Sequence, residues 1–269
     1  MLFYGFDNLS AAESPRNNDP GWRKWLHLLT YSSLLKFAES VGVRRLDNPE
    51  APYENSPLPG VEELLSGLDE ILGFRIEFPN PFEGEAGIAT SRGVASYRAV
   101  QALYQAHRIR ELTGASKDVR VLEIGAGLGR TALYACRAGI GDYTIADLPL
   151  TNVAQGYFLG RIMGEDAVRL CGESSRAKVR VAPPSAFLEG SDTYDLIVNF
   201  DSLTELSPAT AHSYFKAIAS RSSLFLSINH ERNAFTVRDL YRERRIEPAS
   251  RTPCWVRRGY VEEVMRFKG

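Results

Sequence analysis

Residues 121–130 read VLEIGAGLGR: an apolar strand, three alternating glycines and the opening of a helix. Gly125 and Gly127 lack a Cβ and enter φ > 0 freely, so the chain can turn sharply from strand to helix. The backbone of such a turn can approach a ligand closely, beside the positive end of the following helix. A glycine turn by itself is weak, and its weight comes from the strand before it and the helix after it. The glycine spacing is G-x-G-x-G, with Arg130 where a dinucleotide-binding turn would carry its last glycine.

The surrounding pattern is one of alternating strands and helices. Apolar strand patterns fall at 119–124, 142–147, 179–182, 194–200 and 222–229, with helical spacing at about 130–138 and 150–163. A further helix opens at Ser207-Pro208, where Ser suits the N-cap and Pro the first helical position. Repetition of this kind predicts a mostly parallel sheet with helices on both faces. Ligands of such sheets sit beyond the carboxyl ends of the strands.

The first part of the chain is different. Residues 8–20 are polar and rich in Pro and Asn, which predicts a mobile leader. Helical spacing runs from Trp22 to about Val41 and from Val61 to Leu72, the latter ended by Gly73. Four prolines between residues 47 and 60 mark a loop, and a long helical pattern runs from Val94 to Thr113. The expected division is a helical cap region over residues 1–115 and a Rossmann-like domain over 116–269. A formal net charge of −1 gives no global basic field for nucleic acid or an anionic membrane, and no apolar run approaches a membrane span. Three separated cysteines without a CxxC pair fit the cytoplasm.

Two acidic residues refine the ligand. Glu123 stands at the carboxyl end of the first parallel strand, where a carboxylate repels a pyrophosphate and suits a positively charged amino group. Asp147 ends the next strand, where it can accept both hydroxyl protons of a ribose; alternatively it is a turn residue before Pro149.

VLEIGAGLGR resembles the first motif of class I S-adenosylmethionine-dependent methyltransferases, and IADLP resembles the ribose-binding acidic motif of small-molecule O-methyltransferases. SLTEL (202–206), SINHE (227–231) and WVRRGYVEEV (255–264) resemble a narrower group, the sugar O-methyltransferases of natural-product and polysaccharide pathways. The resemblance implies an α/β fold: a Rossmann-like methyltransferase domain with a mostly parallel seven-stranded sheet, helices on both faces and a mainly helical N-terminal region. It implies S-adenosylmethionine as cofactor, held at Glu123, Gly125, Ala126, Gly127, Asp147 and Leu148, with an adenine-side contact near Pro184 and Ser185 and a methionine-side contact near Asn199. The implied partner is a small, sugar-containing acceptor; neither nucleic acid nor a membrane is expected, and homo-oligomerisation stays open. The alternatives are a methyltransferase of a non-sugar natural product, a cofactor-binding module without turnover, and a nicotinamide-dependent oxidoreductase, which the glycine spacing and Glu123 disfavour.

Transfer to a hydroxyl oxygen gains from a positioned base. His230 is the first candidate, because its ordinary pKa allows a neutral ring at working pH, with Glu231 or Glu205 to orient it. Glu205 is the second candidate, against a reading as a surface residue before the Ser207 cap. His27, His107 and His212 lie in predicted helices and read as structural. Asp201, Glu205 and Glu231 could bind Mg²⁺, but without a tight carboxylate motif no metal is expected. Arg92 and the arginines at 242, 244, 245, 251, 257 and 258 read as recognition of an anionic acceptor or, preferably, as a solvated face interleaved with Glu243, Glu247, Glu262 and Glu263.

Overall fold

The computed structural model describes residues 19–267 apart from 52, 54–56, 83, 115, 117 and 175. The chain divides into two compact units, residues 1–104 and 105–269. The division falls inside a helix, ahead of the boundary expected at residue 115. Of the expected leader, residues 8–18 lie outside the described residues, while Asp19 caps the first helix and Pro20 opens it.

In the first unit, α1 (Pro20–Ser40) is capped by Asp19, whose side chain accepts from the Gly21 amide at 2.9 Å, and Pro20 takes the first helical position. Leu26, Leu34, Phe37 and Ala38 form its buried stripe. α2 (Val61–Leu72) buries Leu64, Leu65, Leu68 and Leu72 and stops at Gly73, whose φ of 76° only glycine adopts at little cost. A hairpin of β1 (Ile88–Thr90) and β2 (Gly93–Ala95) follows, so the helical pattern starting at Val94 begins in fact at Tyr97. Arg92, in the hairpin turn, is held by Asp69 at 2.6 Å and by Glu62 at 3.4 Å. It is a buried tie of this unit, its guanidinium engaged with these carboxylates and not with an acceptor.

α3 (Tyr97–Thr113) crosses the division. The second unit continues with β3 (Arg120–Ile124), α4 (Arg130–Arg137), β4 (Asp142–Ala146), α5 (Pro149–Met163), β5 (Val168–Leu170), β6 (Val179–Ala182), α6 (Pro184–Leu188), β7 (Leu196–Phe200), α7 (Pro208–Arg221), β8 (Leu224–His230), α8 (Val237–Glu243), β9 (Ser250–Pro253) and β10 (Tyr260–Arg266). Ser207 caps α7 as expected, accepting from the Thr210 amide at 3.2 Å. The strands form one sheet in the order β5-β6-β4-β3-β7-β8-β10-β9, parallel throughout except that β10 runs antiparallel to both neighbours. This is the Rossmann-like methyltransferase fold, with eight strands where seven were expected. From β3 the chain moves outward to β4 and on to the edge strand β5, steps back to β6 between them, then crosses to β7 and β8 on the other side of β3. The order therefore reverses between β3 and β7, which makes the crevice beyond the carboxyl end of β3, with β4 beside it, the natural ligand site.

The two faces of the sheet are distinct. Leu122, Ile124, Ile197 and Phe225 point into a core with Phe187 of α6, Phe215 and Ile218 of α7 and Leu240 of α8. The alternate residues Val121, Glu123, Tyr143 and Ile145 point to the opposite face. Thr131 of α4 and Gln105 of α3 meet on that side, joined at 2.7 Å.

Candidate active site

The glycine turn has the conformation its sequence demands. Gly125, Gly127 and Gly129 have φ of 71°, 55° and 88°, a region that L side chains rarely enter. Gly125 has a second reason to lack a side chain: a Cβ there would lie 2.1 Å from Ser202 Oγ. At Gly127 the same test finds nothing within 4 Å, so this part of the turn is open to a ligand. The turn is tied to the strand edge by the Gly125 amide, which donates to Ala146 O at 3.0 Å.

Glu123 lies beneath this turn, 2% exposed. Its Oε2 accepts the Tyr143 hydroxyl at 2.8 Å. No salt bridge reaches it among the described residues. Burial pushes its pKa up to about 8, Asp147 adds to the rise, and the hydrogen bond from Tyr143 and the nearby Thr131 side chain oppose it. Asp147 follows β4. Register pairs Glu123 with Ile145, so strand spacing and rise put the Cα atoms of Glu123 and Asp147 about 8 Å apart. Asp147 Oδ1 accepts from the Leu148 amide and Oδ2 from Gln155 Nε2, each at 2.8 Å. Burial raises its pKa, while these two donors and the Ala126 and Gly127 amides pull it back. The crevice thus contains two partly or wholly buried carboxylates, the reverse of a phosphate cradle.

The other expected cofactor residues occupy the same edge of the sheet. Leu148, next to Asp147, is 64% exposed and offers an apolar surface. Pro184 and Ser185 form the first turn of α6, directly after β6. Asn199 is fully buried at the end of β7. Its side chain donates to Ile124 O at 2.9 Å and to Ser202 Oγ at 2.6 Å, and accepts from the Leu203 amide at 3.1 Å and Asn229 Nδ2 at 3.0 Å. Asn199 therefore stitches β3, β7 and β8 together with its side chain, leaving a ligand only its surroundings.

The expected catalytic residues are less united. His230 ends β8, packs its ring edge-to-face on Tyr260 at 5.4 Å, and accepts the Arg232 amide on Nδ1 at 3.3 Å. Glu231 is exposed and ion-paired to Arg251. Glu205 is exposed on a short 3-10 turn after β7. Among the described residues no hydrogen bond or ion pair joins His230 to either glutamate. Nor is any group of three His, Cys, Asp or Glu side chains among them placed to hold a metal ion; Asp201 instead pairs with Arg257. The remaining histidines sit in helices, as expected. His107 lies 3.4 Å from Glu111, with burial lowering its pKa, and His212 lies 3.2 Å from Glu243.

Four residues went unread in the sequence: Tyr143, Gln155, Ser202 and Tyr260. A hydroxyl inside the apolar run DYTIA and an amide inside α5 were the available signals. In the arginine cluster, the Arg257 guanidinium lies 3.5 Å from the centre of the Tyr260 ring and pairs with Asp201. Arg251 is spent on Glu231 and Glu263. These pairs replace the solvated-face reading with local ties at both positions.

No family model and no curated protein matches the sequence. Solved structures of similar shape include the glycopeptide N-methyltransferase MtfA complexed with sinefungin, at 14% identity over 62% of this chain and 87% of that one, with a TM-score of 0.48. Another is the magnesium protoporphyrin IX methyltransferase ChlM from Synechocystis PCC 6803 with bound SAM, at 9% identity over 87% and 95%, with a TM-score of 0.44. Likeness at this level decides neither cofactor nor acceptor; the fold rests on the strand order itself.

Proposed function

We propose that this chain is an S-adenosylmethionine-dependent O-methyltransferase acting on a small, sugar-containing acceptor. The observation that carries the cofactor is Glu123: a carboxylate buried under an open glycine turn, without a cationic partner among the described residues. A buried charge lacking a partner is unfavourable, and a ligand ammonium in the crevice would supply one. Asp147 suits the ribose, Leu148 one face of the adenine, and Pro184 and Ser185 its edge. Two carboxylates in one crevice disfavour a dinucleotide pyrophosphate. Bound there, the cofactor supplies an electrophilic methyl group.

The residues of the chain then have to place and deprotonate an acceptor hydroxyl. His230 is assigned that proton. It lies on the same face of the sheet as Glu123, since Glu123 pairs with Val198, Val198 with Leu226, and His230 is four residues beyond Leu226. It would take the proton on Nδ1, exchanging the long contact with the Arg232 amide for the acceptor hydroxyl, with Nε2 already protonated. Glu231 is committed to Arg251, and Glu205 is exposed.

The sugar reading is supported by convergence. SLTEL follows β7, SINHE closes β8, and WVRRGYVEEV enters β10 with Tyr260 directly opposite His230. All three stretches that resemble the sugar enzymes thus meet at one edge of the sheet, linked by the Arg257–Asp201 pair. A module that binds cofactor without turnover is favoured by one observation, that among the described residues no hydrogen bond or ion pair joins His230 to Glu205 or Glu231. Titration with S-adenosylhomocysteine and with NADH tests the cofactor: binding of NADH alone would overturn the reading. Labelled S-adenosylmethionine with a panel of glycosides and nucleotide sugars tests the acceptor, and binding without label transfer to any of them would favour the inactive module.

A further inference from the structure

Gln155 lies on the inner side of α5, fully buried among Thr151, Ala154, Phe158 and Leu159. Its Nε2 donates to Gly127 O and to Asp147 Oδ2, each at 2.8 Å. Both amide protons are thereby used. The reversed amide would set its oxygen against a carbonyl and a carboxylate, so the partners fix its orientation. Among the described residues the Oε1 atom has no hydrogen-bond partner. A buried, unpaired amide oxygen is costly, and Leu or Met would fill the same space without that cost. The packing of α5 therefore gives no reason for glutamine here; the two groups it joins do.

Those groups are the glycine turn and the carboxylate that faces the ribose. An Asp carboxylate rotates broadly about χ2, and its orientation decides whether both vicinal hydroxyls of a ribose reach it. We infer that Gln155 is a positioning residue of the cofactor site, which locks the Asp147 carboxylate to the Gly125–Gly129 turn and so sets selectivity for a ribonucleoside. This rests on the cofactor reading above.

The test compares S-adenosylhomocysteine with its 2′-deoxyribose analogue by calorimetry, in the parent and in Gln155→Met and Gln155→Glu. Met keeps the volume and removes the donor; Glu keeps the shape and places a second carboxylate against Asp147. The parent should prefer the ribose ligand about tenfold or more, as expected for a hydrogen bond to a charged group. Both variants should lose about tenfold in affinity for the ribose ligand and much less for the deoxy ligand, so that the preference narrows, with Glu the more severe. In a double variant, Asp147→Ala with Gln155→Met should bind no more weakly than Asp147→Ala alone. Unfolding midpoints without ligand check that the variants are folded. Equal losses for both ligands, or additive losses in the double variant, would reduce Gln155 to a packing residue and overturn the inference. A parent that binds neither ligand would overturn the cofactor reading itself, and this inference with it.

Discussion

Replacing Glu123 with Gln should stabilise the ligand-free protein while weakening its hold on the cofactor. Burial raises the Glu123 pKa from an ordinary 4.5 to about 8. At 1.36 kcal/mol per pH unit, the raised pKa would cost the folded state roughly 5 kcal/mol of stability above the upper value and roughly 3 kcal/mol at pH 7. The sign follows from the direction of the shift. Its folded pKa lies above its unfolded one, so its contribution is fully present below pH 4.5, declines as the pH rises and is lost through about pH 8. Gln carries no such proton and keeps the local bonds: its oxygen can accept the Tyr143 hydroxyl, and its amide can donate to Thr131 Oγ1, whose own proton goes to Gln105. Relaxation around a buried charge reduces the full figure, so the net gain near neutral pH is about 1–3 kcal/mol. For a unit of this size that is a rise in melting temperature of roughly 3–10 °C.

Thermal unfolding of parent and variant, without ligand and then with saturating S-adenosylhomocysteine, measures both halves of the prediction. The advantage of Glu123→Gln should grow between about pH 4.5 and about pH 8 and then level off. Ligand should raise the parent's midpoint by mass action and the variant's much less. A variant no more stable than the parent near the upper pH, or a gain that ignores pH, would refute the account of Glu123 as a buried group waiting for a cation.

Asp147→Ala should weaken S-adenosylhomocysteine by about 1.5–3 kcal/mol in calorimetry, through loss of bonds to the ribose, and unchanged affinity would remove Asp147 from the ribose role. Gly125→Ala should destabilise by about 2–4 kcal/mol in denaturant unfolding, from positive-φ strain and overlap with Ser202. Adding Ser202→Gly should recover the overlap and leave the strain, and a double variant no better than the single would exclude that contact as a cause. With a turned-over acceptor, His230→Gln should lose about 10²–10⁴ in rate at saturating cofactor. Near-parental turnover there, with loss in Glu205→Gln, would transfer the base to Glu205.

The central fold was legible because its signals are local. Gly125 to Gly129 must turn, and Val179–Ala182 was read to the residue, since short apolar runs between turn residues leave few alternatives. The strands β5, β9 and β10 were not read. β5 is three residues long, β9 is exposed throughout and carries Pro253, and β10 places Glu262 and Glu263 in its middle. Those two glutamates look like surface in sequence; in the structure Arg108 and Arg251 receive them from outside the strand, and no local pattern announces an ion pair formed across 154 residues. The cofactor edge was legible for the same reason as the fold, while Gln155 was not, because an amide on a helix gains its meaning only from what α5 packs against.

The acceptor side shows where adjacency in sequence misleads. Asn229, His230 and Glu231 look like one catalytic turn, but β8 continues through His230, and side chains alternate along a strand. Asn229 therefore joins Ser227 and Asn199 on the face of α6, α7 and α8, His230 turns to the face of Glu123, and Glu231 leaves the strand for Arg251. What does gather at that edge comes from far apart: Asp201 after β7, and Arg257 and Tyr260 before and at the start of β10. Antiparallel pairing of β10 with β8 brings Tyr260 opposite His230, so the ring of the proposed base is backed by an aromatic edge and not by a carboxylate. A base without an orienting carboxylate cannot offset imidazolium charge as a triad does. Its contribution should then come from placement, and the rate lost on its removal should lie toward the lower end of the range for a positioned base.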